Sequence, residues 1–447
     1  MDNLLELPEI VGLHARQSMV RIPPEVDVPL TPRVRHLIDT PEFRRLTKIS
    51  QLGLVSLVFP AAHHSRFEHS LGVFRTTLGF LQRLAHEPVL QETWTHADAE
   101  LLLAAALLHD LGHWPFCHPI EDMRLPGVPQ HELFANSFLL EGEVADCLRE
   151  DWGINPRDVV SLLSEKPPGS KNKLMQSILS GPIDVDKMDY LQRDSLHAGV
   201  PYGRNFDQQR LIASLCVNQR GDGLAITDKG KTAAEMMVFA RYVMFSEVYW
   251  HHAVRSATAM LQRAFFMLQP QLELDLLFRQ TEQAMIDSML QAAGKGPAGD
   301  LLQGLFGPTR RLYKRLFEYT LSEREELFSQ IARRPYHWLV ALSDQYATAL
   351  SRHLGRRVAP HEILIDAPPV KLEVQFNIEV KQTKTGKYRP LGKLSPMVET
   401  LAKRQFDDFV KKVRVFVHPK LAGELESDTH ADRIFVETVK SMFPESG

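Results

Sequence analysis

The apolar run Leu101–Leu108, which ends directly on His109-Asp110, constrains this chain more than any other stretch of it. A helix that is apolar on nearly every side belongs inside a protein. Placing an imidazole and a carboxylate at its end carries two polar groups toward the interior. Their burial costs several kcal/mol unless they are paired or bind a cation. Two other segments supply partners of the same chemical type. Arg66-Phe-Glu-His69 lies upstream, and Ile183-Asp-Val-Asp186-Lys-Met-Asp-Tyr190 lies downstream. Together they offer His69, His109, Asp110 and Asp186, two imidazoles and two carboxylates suited to a divalent metal.

Composition bounds the rest. The 447 residues suffice for two or three domains, and 44% hydrophobic with 24% charged residues is the balance of a soluble globular protein. A net charge of -3 excludes a global basic field for nucleic acid, though not local patches. Cys117, Cys147 and Cys216 are odd in number and widely spaced, so a disulfide framework is not expected and a reduced, cytoplasmic setting is. The run Leu101–Leu108 is too short to span a bilayer, and the acidic N-terminus shows no secretory pattern, so no membrane partner is expected.

Periodicity predicts a mainly α fold. A helix start is expected at Thr40-Pro41-Glu42-Phe43. A second helix is expected over Glu68 to Leu84, with Leu71, Phe74, Leu78 and Leu81 on its apolar face. Gly112-His113-Trp114-Pro115 must end the buried helix. Residues 165–173 read as a polar, proline-containing loop, and Gly294-Lys-Gly-Pro-Ala-Gly as a break before a further helical stretch of about 300–355. The period then changes to two. Leu372, Val374, Phe376, Ile378 and Val380 alternate with polar residues, Thr383-Lys-Thr-Gly386-Lys supplies a turn, and Val413–Val417 is a second strand. Amphipathic helices fit between these strands and over Ala431 to Phe443. The expected organisation is a helical core with its N-terminal extension over 1–270, a helical extension over 271–360, and a small α/β lobe over 361–447.

The ligand types dictate the chemistry. Imidazole with carboxylate suits Mn, Fe, Zn and, less well, Mg. Four protein ligands leave an octahedral ion open positions for water and a substrate oxygen, which suits hydrolysis of a phosphate ester. Arg66, His113, His118 and His131 lie close in sequence to the ligands and Lys187 follows one directly, placing phosphate counter-charges around the set. His118 and Glu121 meet if their segment is helical, and the carboxylate would then hold the imidazole protonated as a general acid. A purely structural zinc site is disfavoured, because such sites prefer thiolates and no cysteine pair has CxxC spacing.

Three motifs carry a family resemblance. Phe59-Pro-Ala-Ala-His-His-Ser-Arg-Phe-Glu-His69-Ser-Leu-Gly, His109-Asp-Leu-Gly-His-Trp-Pro-Phe-Cys-His118 and Gly181-Pro-Ile-Asp-Val-Asp186-Lys-Met-Asp-Tyr-Leu-Gln-Arg-Asp194 resemble the HD superfamily. Within it, they are most similar to the deoxynucleoside triphosphate triphosphohydrolases, over roughly residues 30–260. The resemblance implies an HD-domain catalytic core in which His69, His109, Asp110 and Asp186 hold the metal. It sets His113, His118, His131 and Glu132 around the α-phosphate, with Glu121 supporting His118. It makes Arg66, Lys187 and Tyr190 phosphate contacts, and Gln51, Leu52, Asp194 and Tyr249 deoxyribose contacts. The implied reaction is water attack at the α-phosphorus, releasing deoxynucleoside and triphosphate, with a further Mg accompanying the triphosphate and a homo-oligomer, dimer or tetramer, as the working form.

The chain departs from that family in three places. The N-terminal Asp-Pro-Ile-His-Gly stretch common in relatives is missing, and Gly12-Leu-His-Ala-Arg-Gln stands roughly where it would fall. Where activated members recognise a guanine nucleotide with Asp, Gln and Arg, this chain has Asp39, Arg44 and Thr47. Trp250, beside Tyr249, replaces a smaller polar residue. Two other functions remain open from the residues alone: an HD-type nucleotidase or phosphodiesterase with the same metal site, and a non-catalytic regulator binding nucleotide or single-stranded nucleic acid through the Lys/Arg-rich stretch 381–414.

Overall fold

Thr95 begins the buried helix through a reciprocal cap. Its hydroxyl accepts the Asp98 backbone N–H at 3.3 Å, and the Asp98 carboxylate accepts the Thr95 N–H at 2.8 Å. In the computed structural model, which describes residues 3–14, 18–164, 169–369, 377–403 and 410–443, that helix runs His96–Leu108 (α2). Leu102 to Leu108 are completely buried, as an all-round apolar surface requires. Ser65 caps the helix before it, Arg66–Leu84 (α1), by accepting the Glu68 N–H at 3.2 Å, and Leu71, Phe74, Leu78 and Leu81 form its buried stripe. Asp184 caps Val185–His197 (α3) by accepting the Lys187 N–H at 2.6 Å. Helix α1 packs against both α2 and α3, so three capped helix ends set the polar residues of the sequence motifs on a common apolar base.

The chain divides into two compact units, and each is interleaved along the sequence. The first comprises residues 1–115, 129–244 and 375–403, and the second 116–128, 245–374 and 404–447. This is a different cut from a linear one at 270 and 360. Mainly α architecture holds throughout, with small sheets in each unit. Among the described residues no helix is long and apolar enough to cross a membrane.

In the first unit, an antiparallel hairpin pairs Met19–Ile22 with Val26–Pro29. A four-stranded sheet runs Leu215–Val217, Leu224–Thr227, Glu379–Lys381, Tyr388–Pro390, with Ala225–Thr227 parallel to Glu379–Lys381 and the other pairs antiparallel. The alternation at 372–380 therefore ends in a strand, but this strand joins a sheet of the first unit instead of the one containing Val413–Val417. Leu372, Val374 and Phe376 fall outside the described residues. Pro396–Lys403 is the helix expected after the Gly386 turn.

In the second unit, Val413–Val417 is a central strand, buried at every position, flanked antiparallel by Lys314–Tyr319 and Ile363–Asp366. Helices Tyr336–Leu354 and Ala431–Ser441 pack in the same core through Leu342, Tyr346, Leu350, Phe435 and Val439. Three expectations are corrected. The stretch 300–355 is not wholly helical. Lys314–Tyr319 is a strand, and its Glu318 is fixed by Arg414 and Lys412 at 2.7 Å each, a pairing that local periodicity does not encode. The loop expected over 165–173 gives way to helix from Ser170, since Leu174, Met175 and Ile178 have a core to face. At Thr40 the helix Pro41–Arg44 does start, but the hydroxyl donates backward to the Leu37 carbonyl at 2.8 Å and does not cap.

Candidate active site

The helix ends of the first unit bring the histidines together. His69 Nε2 lies 3.3 Å from His109 Nε2 and 3.1 Å from Asp186 Oδ1, and His109 Nε2 is 3.4 Å from Asp110 Oδ1 and 4.0 Å from Asp186 Oδ1. The orientation of each ring is fixed from behind. The His69 Nδ1–H donates to Asp189 at 2.8 Å, and the His109 Nδ1–H donates to the Ala106 carbonyl at 2.9 Å. Neutral imidazoles so tied carry their lone pairs on the Nε2 atoms, which face one another and two carboxylates. Such a set repels itself unless a cation lies between. The donor types and their arrangement fit a divalent metal, for which His69, His109 and Asp186 bring ligand atoms within 4.8 Å of one another and Asp110 stands beside them.

The local electrostatics agree. Burial disfavours a charged His69, but hydrogen bonds to Asp186 and Asp189 and the charge of Asp110 outweigh it and raise its pKa to about 10. A proton thus takes the cation's place in the metal-free protein. Burial likewise disfavours the Asp110 carboxylate, yet the surrounding His113, Arg66, His109 and His69 hold it well below the ordinary range. Because the folded-state pKa of His69 lies above its unfolded value of 6.5, its contribution to the metal-free fold is complete below pH 6.5 and is lost as pH rises through 10. The thermal midpoint of chelated wild-type protein should therefore converge on that of His69→Gln across this window. A gap that widens toward pH 10 would contradict the assignment.

Behind the ligands stands a brace that sequence reasoning missed. Arg193, 2% exposed, donates twice to Asp189 (2.8 and 2.7 Å), and its other end reaches Glu68 at 2.6 Å and the Pro23 carbonyl at 2.8 Å. Against the cost of burial, these contacts bring Asp189 down to about 2, so it accepts from His69 as a carboxylate. The usable signal is the i, i+3 and i+7 spacing of Asp186, Asp189 and Arg193 on α3. Gly72 makes room for this brace, since a Cβ there would fall 1.9 Å from Asp189 Oδ1 and 2.3 Å from Arg193 Nη2. Gly72→Ala should displace Asp189 from His69 and weaken metal binding about 10- to 100-fold, as read by calorimetric titration. Unchanged affinity would show the brace to be dispensable.

The expected phosphate contacts distribute unevenly. Arg66 donates to Asp110 at 2.7 Å, at the metal cluster itself. His113 Nδ1 is 3.2 Å from Asp110 Oδ1, and its ring packs on His131 at 3.9 Å between centroids. Glu132 lies 3.4 Å from His131 Nε2. Gly112 permits that packing, because a Cβ there would meet the His131 carbonyl at 2.1 Å, and Arg45 pins the turn through the Leu111 and His113 carbonyls at 2.8 and 2.9 Å. Lys187 binds Asp184 at 2.5 Å. Burial pushes Asp184 up to about 6, with Lys187 pulling down and the Asp186 charge pushing up. Burial raises Tyr190 against the pull of Arg241 and Lys187. Arg241, on Lys231–Met244, is thus a cation of this cluster that sequence reasoning did not single out.

Of the expected sugar contacts, Asp194 pairs with buried His64 at 2.8 Å, and His64 stacks on His197 at 4.4 Å. Gln51 donates its backbone N–H to the His64 carbonyl, and its side-chain Oε1 is buried with no hydrogen-bond partner among the described residues. Leu52 follows it, half-buried. His118 and Glu121 do meet, at 3.8 Å, on the helix Cys117–Asp122 of the second unit, and Tyr249 ends a π-helical turn, Phe245–Tyr249, of that same unit.

The family profile described as "HD domain" matches residues 66–194, and that described as "HD associated region" matches residues 206–435. The chain is 40% identical over 229 residues to the uncharacterized protein YwfO of Bacillus subtilis, covering 51% of this chain and 50% of that protein. It is 30% identical over 278 residues to deoxynucleoside triphosphate triphosphohydrolase SAMHD1 of Danio rerio, covering 55% of this chain and 44% of that one. These matches span about half the length of the two relatives. Among solved structures, a hypothetical protein from Aquifex aeolicus superposes with a TM-score of 0.71 at 29% identity, over 92% of this chain and 98% of that chain. A phosphohydrolase from Bacteroides thetaiotaomicron, with a TM-score of 0.66 at 22% identity over 90% and 99%, shares the fold.

Proposed function

Because the chain belongs to the HD family of metal-dependent phosphohydrolases, with an HD domain followed by an HD associated region, we propose that it hydrolyses deoxynucleoside triphosphates to deoxynucleoside and triphosphate. The observation that carries the hydrolytic part is the pair of opposed Nε2 atoms, 3.3 Å apart and fixed from behind. A divalent cation held by His69, His109, Asp110 and Asp186 would supply charge neutralisation and a water of lowered pKa.

The protein's own groups do the rest. Arg66, held by Asp110, presents a guanidinium to an equatorial phosphate oxygen at the cluster. Lys187 and Arg241 add positive charge toward Tyr190, whose raised pKa keeps its hydroxyl a hydrogen-bond donor. His113 and His131, their rings in tilted contact at 3.9 Å and backed by Asp110 and Glu132, would donate to the α-phosphate. The unsatisfied Oε1 of Gln51 offers an acceptor to a sugar hydroxyl beside the His64–Asp194 pair. Support for a deoxynucleotide in particular comes from this polar corner together with the SAMHD1 relatives.

The test is a panel of the four dNTPs with Mn or Mg and the purified protein, with products identified by mass spectrometry. Triphosphate and deoxynucleoside from at least one dNTP are expected. Orthophosphate from a monophosphate, or an opened phosphodiester, would replace this reading by another HD-type hydrolysis. Activation by a guanine nucleotide is not expected. Arg44 lies over the Phe67 ring at 5.0 Å, and the Thr47 hydroxyl is spent on the Arg44 carbonyl at 2.7 Å. Added GTP should leave the initial rate unchanged, and a severalfold stimulation would contradict this.

A further inference from the structure

A second group of ligand-type side chains lies in the first unit, on different elements from the HD cluster. His36 stands in the last turn of Pro32–Asp39, Cys147 near the end of Gly142–Glu150, and Asp151 on the residue that caps that helix. The two helices pack together, with Leu37, Val144 and Leu148 fully buried, and Arg33 lies over Trp152 at 4.4 Å. One oxygen receives both neighbours: Asp151 Oδ2 is 2.5 Å from His36 Nδ1 and accepts the Cys147 thiol at 3.3 Å. An imidazole nitrogen, a sulfur and a carboxylate oxygen thus lie within 4.8 Å of one another.

We propose that His36, Cys147 and Asp151 form a second divalent-metal site, selective for zinc-like ions. Three properties support it. The donor set contains sulfur, which favours zinc and cobalt over the magnesium and manganese that an oxygen-rich set prefers. The metal-free arrangement already directs three ligand atoms at one point, held there by two protons. The rim is accessible, since the His36 side chain is 57% exposed and that of Asp151 33%, so an ion has an entry path and a fourth position for water. Cys147 itself is 1% exposed, and burial, reinforced by Asp151, pushes its thiol up to about 12. That leaves it neither a nucleophile nor a disulfide partner, and contact with a cation is its route to a thiolate.

The exchange balances simply. The ion enters as an aquo dication, the Cys147 thiol proton passes to water, and the His36 proton moves from Nδ1 to the exposed Nε2. One proton is released per ion, and the product is a sulfur, nitrogen and oxygen set closed by water. Such a site would tie the segment at His36 to the segment at Asp151, stabilising the folded chain by an amount that grows with the logarithm of free ion.

Cobalt separates this site from the HD centre. The HD ligand set holds no thiol, so sulfur-to-cobalt charge-transfer absorption in the near ultraviolet reports a cysteine-ligated ion alone. Titration of the full chain with Co2+ should raise this band. Cys147→Ser should abolish it, while Cys117→Ser and Cys216→Ser should retain it. His36→Gln should raise the Co2+ concentration needed for half-saturation about tenfold or more. Because His36 is exposed, that variant decides the matter even where Cys147→Ser fails to fold. Absence of the band, its survival in Cys147→Ser, or an unchanged titration in His36→Gln would overturn the proposal and leave a hydrogen-bonded cluster only.

Discussion

Asp186→Ala is expected to abolish turnover while leaving the chain folded. Asp186 Oδ1 lies 3.1 Å from His69 Nε2, and with its side chain 33% exposed it is the candidate ligand on the open side of the cluster. Its removal would loosen the hold on a cation bound there, and with it the stabilisation of developing phosphoryl charge that such an ion would supply, an effect worth several kcal/mol. That corresponds to a loss of about a thousandfold or more in kcat/KM. The fold should survive, because His69 keeps Asp189 and Asp110 keeps Arg66. Metal content and kcat/KM measured on the same preparation test this together. A loss below about tenfold, with metal retained, would show that Asp186 is not a ligand.

Arg193→Met should have the largest effect on stability. Its guanidinium satisfies Asp189 at both oxygens and one oxygen of Glu68, and it is almost completely removed from water. Removing it leaves Asp189 buried opposite His69 with no counter-charge on the far side, and breaking a buried pair in this way costs about 3–5 kcal/mol. The urea midpoint should fall accordingly. The double variant Arg193→Met/Asp189→Asn should recover part of the loss, because the orphaned charge goes with its partner. Equal destabilisation by the single and double variants would place the role of Arg193 in packing alone.

These two residues mark how far the sequence could be read. His69, His109, Asp110 and Asp186 were legible because an apolar helix cannot end on His-Asp without a partner, and because two further segments offered matching donors. The helices around them were legible for the same reason that they form: Ser65, Thr95 and Asp184 are caps, and the apolar stripe of α1 has helical spacing. The brace was not legible. Asp189 and His69 are 120 positions apart, Arg193 and Glu68 125, and the spacing of Asp186, Asp189 and Arg193 on α3 does not by itself separate a buried arginine from a solvated one. The strand Lys314–Tyr319 was missed because its short, charged sequence has strand character only once Glu318 meets Arg414 and Lys412. Likewise, the pairing of Glu379–Lys381 with Ala225–Thr227 depends on partners distant in sequence. Of the site residues taken from resemblance, Asp194 found a buried His64 that lies within the first motif but had been given no role.

In the proposed reaction this cluster directs water at the α-phosphorus of a deoxynucleoside triphosphate. Hydrolysis in 18O-labelled water, followed by mass spectrometry of both products, tests it most directly. Attack at the α-phosphorus breaks the bond from that phosphorus to the 5′-oxygen, so the label should appear in the released triphosphate and the deoxynucleoside should remain unlabelled. Label in the deoxynucleoside, or orthophosphate as the labelled product, would contradict it.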